Sequence, residues 1–137
     1  MQIAIYADAG SQSFNRLHQA IILADVGRPP EVHSDVRLFC ECFRSVAYHP
    51  DVIILMPTCF EELETLAAVR ELFANSRTII VLPERESSVI SVGHLFHPSF
   101  ITFEDEDFQD VVAILKHLGK HRQCRIDMHS QLWINEN

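Results

Sequence analysis

The sequence predicts an α/β fold: a single three-layer, doubly wound domain around a five-stranded parallel sheet of order 2-1-3-4-5. Three observations carry this expectation. Val52-Ile53-Ile54-Leu55-Met56 and Ile79-Ile80-Val81-Leu82 are apolar at every position. A strand that is apolar on both sides must be covered on both sides, which is the pattern of a parallel sheet buried between helices. Between the two runs lies one amphipathic stretch, and strand-like and helix-like segments alternate five times along the chain. Such alternation, closed by right-handed crossovers, puts helices on both faces of the sheet.

The elements follow in order. Gln2 to Ala7 reads as a first strand, ended by Asp8-Ala9-Gly10. Ser11 or Ser13 can cap the next helix, because a hydroxyl accepts from the free N–H groups of a first turn. Phe14, Leu17, Ile21 and also Ile22 share its apolar face, and Gly27-Arg28-Pro29-Pro30 stops it. Glu31-Val32-His33 fits a short edge strand. Asp35 caps a second helix, with Val36, Phe39, Phe43 and Val46 at helical spacing. Asp51 to Met56 is the second buried strand. Thr58-Cys59-Phe60-Glu61 matches a capping box, Thr58 bonding forward and Glu61 back. Leu63, Leu66, Ala67 and Leu72 or Phe73 line the helix that follows, which ends at Asn75-Ser76. Arg77 to Leu82 is the next strand, Pro83 to Ser88 a polar loop, and Val89 to Phe96 a short helix. Phe100 to Phe103 is the last strand. Asp105 to Asp107 load the start of a final helix with favourable negative charge. Phe108, Val111, Val112, Leu115 and Leu118 form that helix's apolar face, and Gly119 is its expected end.

At 137 residues the chain suffices for one domain with a real core. Its formal net charge of -8 disfavours nucleic acid and anionic membrane surfaces, both of which need a basic footprint. Met1 to Ala7 lacks the basic start and the length of a signal peptide, and no apolar run approaches a membrane span. Cys40, Cys42, Cys59 and Cys124 sit among strong helix and strand patterns, so reduced thiols in a cytoplasmic protein are expected.

In an open parallel sheet, ligands bind beyond the carboxyl ends of the strands. Here that crevice is lined by Asp8-Ala9-Gly10-Ser11, Met56-Pro57-Thr58-Cys59, Pro83-Glu84-Arg85-Glu86 and Phe103-Glu104-Asp105. Over residues 1–120 the order and spacing of elements resemble the receiver domain of bacterial response regulators, a flavodoxin-like fold. Pro50-Asp51-Val52-Ile53-Ile54-Leu55 resembles the receiver's third strand, and Met56-Pro57 echoes its Met-Pro turn. The resemblance implies a magnesium ion held by two acidic residues after strand one. It also implies an aspartate phosphoacceptor ending strand three, a Ser or Thr after strand four and a Lys after strand five. Asp8 matches one acidic position, and Ala7 takes the other. The acceptor falls on Leu55 or Met56, the hydroxyl near Pro83 and the lysine on Phe103. A thioether or alkyl chain cannot attack phosphorus, and one carboxylate alone makes a weak magnesium site. The expectation is a degenerate receiver, a non-catalytic signalling module without cofactor or metal that acts by protein–protein contact.

Several other residue groups could carry chemistry. Asp8 to Ser13 could cradle a phosphate at a helix start, as in a domain binding flavin or nucleotide, but it is poor in glycine and reads better as a plain turn. A working receiver that takes its phosphoryl group on Asp8 or Glu84 is a further alternative. Cys59 begins a helix, where the dipole favours thiolate, yet Glu61, Glu62 and Glu64 oppose it. His117 and His121, followed by Cys124 and His129, would suit zinc only if the helix continued past Gly119. His94 and His97 lack a nucleophile nearby and read as loop residues. Glu104 to Asp107 reads as a solvated helix start rather than a metal cluster. A homodimer is expected through Val89, Ile90, Leu95 and Phe96, with Glu104 pairing with Lys116 and Lys120 across a twofold axis. Residues 121–137 form a tail in which Trp133, between Leu132 and Ile134, is a candidate anchor for that interface.

Overall fold

Two-sided burial decides the architecture. In the computed structural model, which describes the backbone of residues 1–129 and the side chains of residues 1–120, five strands form one sheet. They are β1 (Ile3–Tyr6), β2 (Glu31–His33), β3 (Val52–Leu55), β4 (Arg77–Leu82) and β5 (Phe100–Phe103). Their order is β2-β1-β3-β4-β5, and every pairing is parallel. Ile3, Ile5, Ile53, Leu55, Ile79 and Val81 are all buried, as continuous apolar strands require.

Because side chains alternate along a strand, each strand feeds two cores. Ile3, Ile5, Val52, Ile54, Ile79 and Val81 face α1 (Gln12–Ala24) and α5 (Gln109–His129), meeting Leu17, Ile21, Val111 and Leu115. Ala4, Tyr6, Ile53, Leu55, Ile80 and Leu82 face α2 (Val36–Cys42), α3 (Phe60–Ala68) and α4 (Ser87–His94). The second core is rich in rings. Tyr6, Phe43 and Phe73 each lie within 5.7 Å of a common neighbour, Phe39, and Phe43 continues to Tyr48 at 5.0 Å.

Local chemistry explains the boundaries. The Ser11 hydroxyl accepts from the Phe14 N–H at 3.1 Å and starts α1. Asp35 accepts from the Arg37 and Leu38 N–H groups at 2.9 and 3.0 Å and starts α2. Asp25, with φ 53°, closes α1 in the left-handed conformation. Within α4, Gly93 lies close against the sheet: a Cβ there would stand 3.4 Å from both Leu82 methyls, at van der Waals contact.

Several boundaries differ from the sequence expectation. Helix α2 ends at Cys42, because Phe43, Arg44 and Ser45 turn tightly onto carbonyls three residues back. Val46 is thereby thrown out to 87% exposure instead of joining the apolar face. Ile22 is likewise exposed, just beyond the buried stripe of α1. The capping box is displaced by one residue. Cys59 is the N-cap and makes no side-chain cap, while Glu62, not Glu61, reaches back to the Thr58 N–H at 2.8 Å. Helix α3 stops at Ala68, and a 3-10 turn over Arg70–Phe73 swings Phe73 back into the core. Gly119 does not end α5, which runs on to His129.

The expected interface also changes. Val89 (2% exposed) and Phe96 (9%) pack into the second core, and Ile90 is partly buried against it. A short helix lying on a sheet edge spends its apolar side inward first. Leu95, at 44% exposure, remains on the outside. Trp133 lies outside the described residues, as do Leu132 and Ile134. No helix among the described residues is long and apolar enough to cross a membrane.

The carboxylate of Glu62 is a hinge-pin of the second layer: it accepts from the Thr58 N–H and from the buried Tyr6 hydroxyl. Burial first, and then this hydrogen bond, push the Tyr6 phenol far above its ordinary range. Tyr6→Phe is expected to cost about 1.5–3 kcal/mol, the range for a hydrogen bond to a charged group. Tyr48→Phe, which loses a bond to the exposed Glu31 at 2.5 Å, should cost less. Urea unfolding of both variants at neutral pH checks the order; equal losses would remove the special role of Glu62.

Candidate functional site: the crevice at the carboxyl ends of the strands

The crest of the sheet brings Ala7, Met56, Pro83 and Phe103 to the ends of four adjacent strands. The Met56 N–H donates to the Tyr6 carbonyl at 2.8 Å, which sets Met56 directly beside the end of β1. Ala7 and Met56, at 1% and 5% exposure, belong to the core shared with Phe14 and Phe108. Leu55, the other residue at this strand end, faces the opposite core and is also buried. The floor of the crevice is therefore hydrocarbon and thioether.

The rim is polar but largely committed to its own turns. Asp8 is exposed; its Oδ1 accepts from the Gly10 N–H at 3.1 Å, and its carbonyl accepts from the Ser11 N–H at 2.9 Å. The Ser11 hydroxyl is spent on the helix cap and lies 3.4 Å from that of Ser13. Two of the amides that a phosphate cradle would use are thus bonded within the Asp8–Ser13 turn. Thr58 and the exposed Cys59 stand at the β3 side, and Glu62 holds Thr58 in place. Burial pushes the Cys40 thiol up, which keeps it protonated and unreactive.

Two arginines dominate the far side, and the sequence reading assigned neither a role. Arg85, in the loop after β4, donates through Nη2 to Asp105 Oδ1 at 2.7 Å and to Glu106 Oε2 at 2.8 Å. Its guanidinium carbon lies 4.2 Å from the centroid of the Phe103 ring. The two carboxylates, Glu106 first, raise its already high pKa. Arg16, from α1, donates to the Glu106 and Glu104 carbonyls at 2.6 Å each and lies 5.2 Å from the Phe108 ring centroid. The acidic run is therefore split in function. Asp107 accepts from the Gln109 N–H at 3.0 Å and starts α5, while Asp105 and Glu106 turn to Arg85. Burial and then the neighbouring Asp105 push the Glu104 carboxyl above the usual range. Phe108, buried between helix and sheet, has φ 64°. A bulky residue in that region costs about 1–2 kcal/mol, so its surroundings must hold it there.

A signal for Arg85 was available. In the predicted strand order β4 and β5 are neighbours, so the loop carrying Arg85 must stand beside the acidic run that follows β5. The remaining singled-out residues are dispersed. His94 closes α4, and His97 sits in the left-handed turn after it, with φ 48°. Lys116 and Lys120 are exposed on α5. Among the described residues, no three His, Cys, Asp or Glu side chains gather as a metal site would require. The side chains of His121, Cys124 and His129 lie outside the described residues.

No protein-family model matches the chain, and no curated protein matches it. Solved structures do. The signal receiver domain of NarL from Mycobacterium tuberculosis is similar at 16% identity and a TM-score of 0.63, over 87% of this chain and 95% of that one. A CheY-like response regulator protein from Mesorhizobium loti is similar at 17% identity and a TM-score of 0.60, over 86% and 97%. A CpaE2 pilus assembly protein from Sinorhizobium meliloti follows at 15% and 0.58, over 89% and 98%. With the strand order and the crossovers already in place, this chain has the receiver-like fold of the response regulators.

Proposed function

We propose that the chain is a non-catalytic signalling module, a pseudo-receiver that acts by protein–protein contact in a two-component or phosphorelay setting. The observation that carries this reading is the apolar floor. Where a receiver presents an acidic pair, an aspartate nucleophile, a hydroxyl and a lysine, this chain presents Ala7 with Asp8, then Met56, Pro83 and Phe103. Phosphoryl transfer to a carboxylate needs that nucleophile and a cation to neutralise the incoming charge. The CpaE2 neighbour, named for pilus assembly, fits the general rule that one fold serves several functions. The flavin or nucleotide alternative draws little support from the Asp8–Ser13 turn, where the Gly10 and Ser11 amides serve the turn itself.

The module is proposed to work as a homodimer or with a protein partner, on the face formed by α4, β5 and α5. After the inward packing of Val89 and Phe96, the residues left to carry a contact are Leu95, Ile90 in part, Glu104, Lys116 and Lys120. Opposite charges on one patch can pair across a twofold axis, where the patch meets itself.

Incubation with a small-molecule phosphodonor and magnesium, followed by intact mass measurement, should give no added phosphoryl group. A gain abolished by Asp8→Ala would overturn the non-catalytic reading in favour of an atypical receiver. Met56→Asp alone should also stay unmodified, because the second acidic ligand and the lysine are still missing. Sedimentation at micromolar concentration should show self-association weakened by Leu95→Asp. A strict monomer, with Leu95→Asp identical to it, would remove the homodimer and leave contact with a different protein.

A further inference from the structure

The β5–α5 connection is gripped from two sides by two cations of different kinds. Arg16 comes from a helix and takes main-chain carbonyls, those of Glu104 and Glu106. Arg85 comes from the neighbouring loop and takes side-chain carboxylates, those of Asp105 and Glu106. Each guanidinium also lies over an aromatic ring at one end of the segment: Arg85 over Phe103, Arg16 over Phe108. The segment ends at Phe108, whose φ of 64° lies in the left-handed region and whose ring is held in the first core.

We propose that residues 103–108 form a strap latched by Arg85, and that this latch opens with ionic strength while Arg16 keeps the strap tethered. The two grips differ in what weakens them. The Arg85 pairs are exposed, with side-chain accessibilities of 53% for Arg85, 69% for Asp105 and 46% for Glu106, so dissolved salt screens them. The Arg16 bonds run to neutral carbonyls in a fixed fork and depend far less on screening. The latch joins two loops that both border the crevice. Arg85 stands two residues before Ser87, the first residue of α4, so release of the strap also frees the entry to that helix. An internal ion pair thus ties the β4–α4 loop to the β5–α5 loop without any bound ligand. The latch works whether or not the chain accepts a phosphoryl group.

Hydrogen exchange of the full chain tests it at three amides. Glu104 N–H is bonded to the Leu82 carbonyl, Glu106 N–H to that of Phe103, and Ile90 N–H to that of Glu86. In Arg85→Gln these three should exchange about tenfold faster than in the parent chain, with the amides of β1 and β3 unchanged. The parent chain in about 1 M sodium chloride should move in the same direction, relative to about 0.05 M. Arg85→Lys, which keeps the charge and loses the planar stack, should fall between. Arg16→Gln should accelerate Glu104 and Glu106 but leave Ile90 unchanged. Unaltered exchange at Glu104 and Glu106 in Arg85→Gln would overturn the latch. So would equal acceleration in every strand, because that marks general loss of stability rather than local release.

Discussion

Strands with no exposed face constrain everything else in this molecule. β1, β3 and β4 give their side chains alternately to two cores, so neither face can be left to water. Parallel pairing then forbids short hairpins and obliges each return to pass through a helix. Four such returns, and the helix after β5, use most of the chain in building the two outer layers.

The loops at the crest are better supplied with internal partners than with free reactive groups. The Asp8 turn bonds to itself, Glu62 holds Thr58, and Asp105 and Glu106 are taken by Arg85. A carboxylate engaged by a guanidinium is a poor metal ligand, and an amide bonded within a turn is a poor phosphate donor. The proposed role as a contact module follows from this saturation as much as from the identities of Met56 and Phe103. Order at the crest is provided from inside the chain, by bonds between its own loops.

Much of the fold was legible because hydrophobic periodicity reports burial directly. The runs Ile53–Leu55 and Ile79–Leu82 could only be central strands, and Asp35 stood before its helix as a cap should. What was missed depended on details that periodicity does not encode. Val46 kept helical spacing, but three tight turns after Cys42 broke the register before it. Gly119 reads as a stop, yet glycine inside a helix costs only about 1 kcal/mol and the continuing backbone bonds outweigh it. Phe96 and Val89 looked like surplus apolar area until the edge of the second core claimed them. At the crest the residue types themselves, Ala7, Met56, Pro83 and Phe103, were plain to read. The predicted strand order placed the Arg85 loop beside the acidic run, but did not say which carboxylates it would take; Arg16 had no such signal, because its partners are main-chain carbonyls that carry no residue type.

The two cores differ in kind, and the difference bears on how the sequence can drift. The core under α1 and α5 is mostly aliphatic, and side chains such as Ile, Val and Leu exchange with modest loss when volume is kept. The core under α2, α3 and α4 is a run of rings in which Phe39 touches Tyr6, His33, Phe43 and Phe73 at 5.0–5.7 Å. Each ring there is oriented by the next, so no one of them can be replaced without disturbing its neighbours. Related chains should therefore vary freely on the α1–α5 side and change on the aromatic side only by several coordinated substitutions.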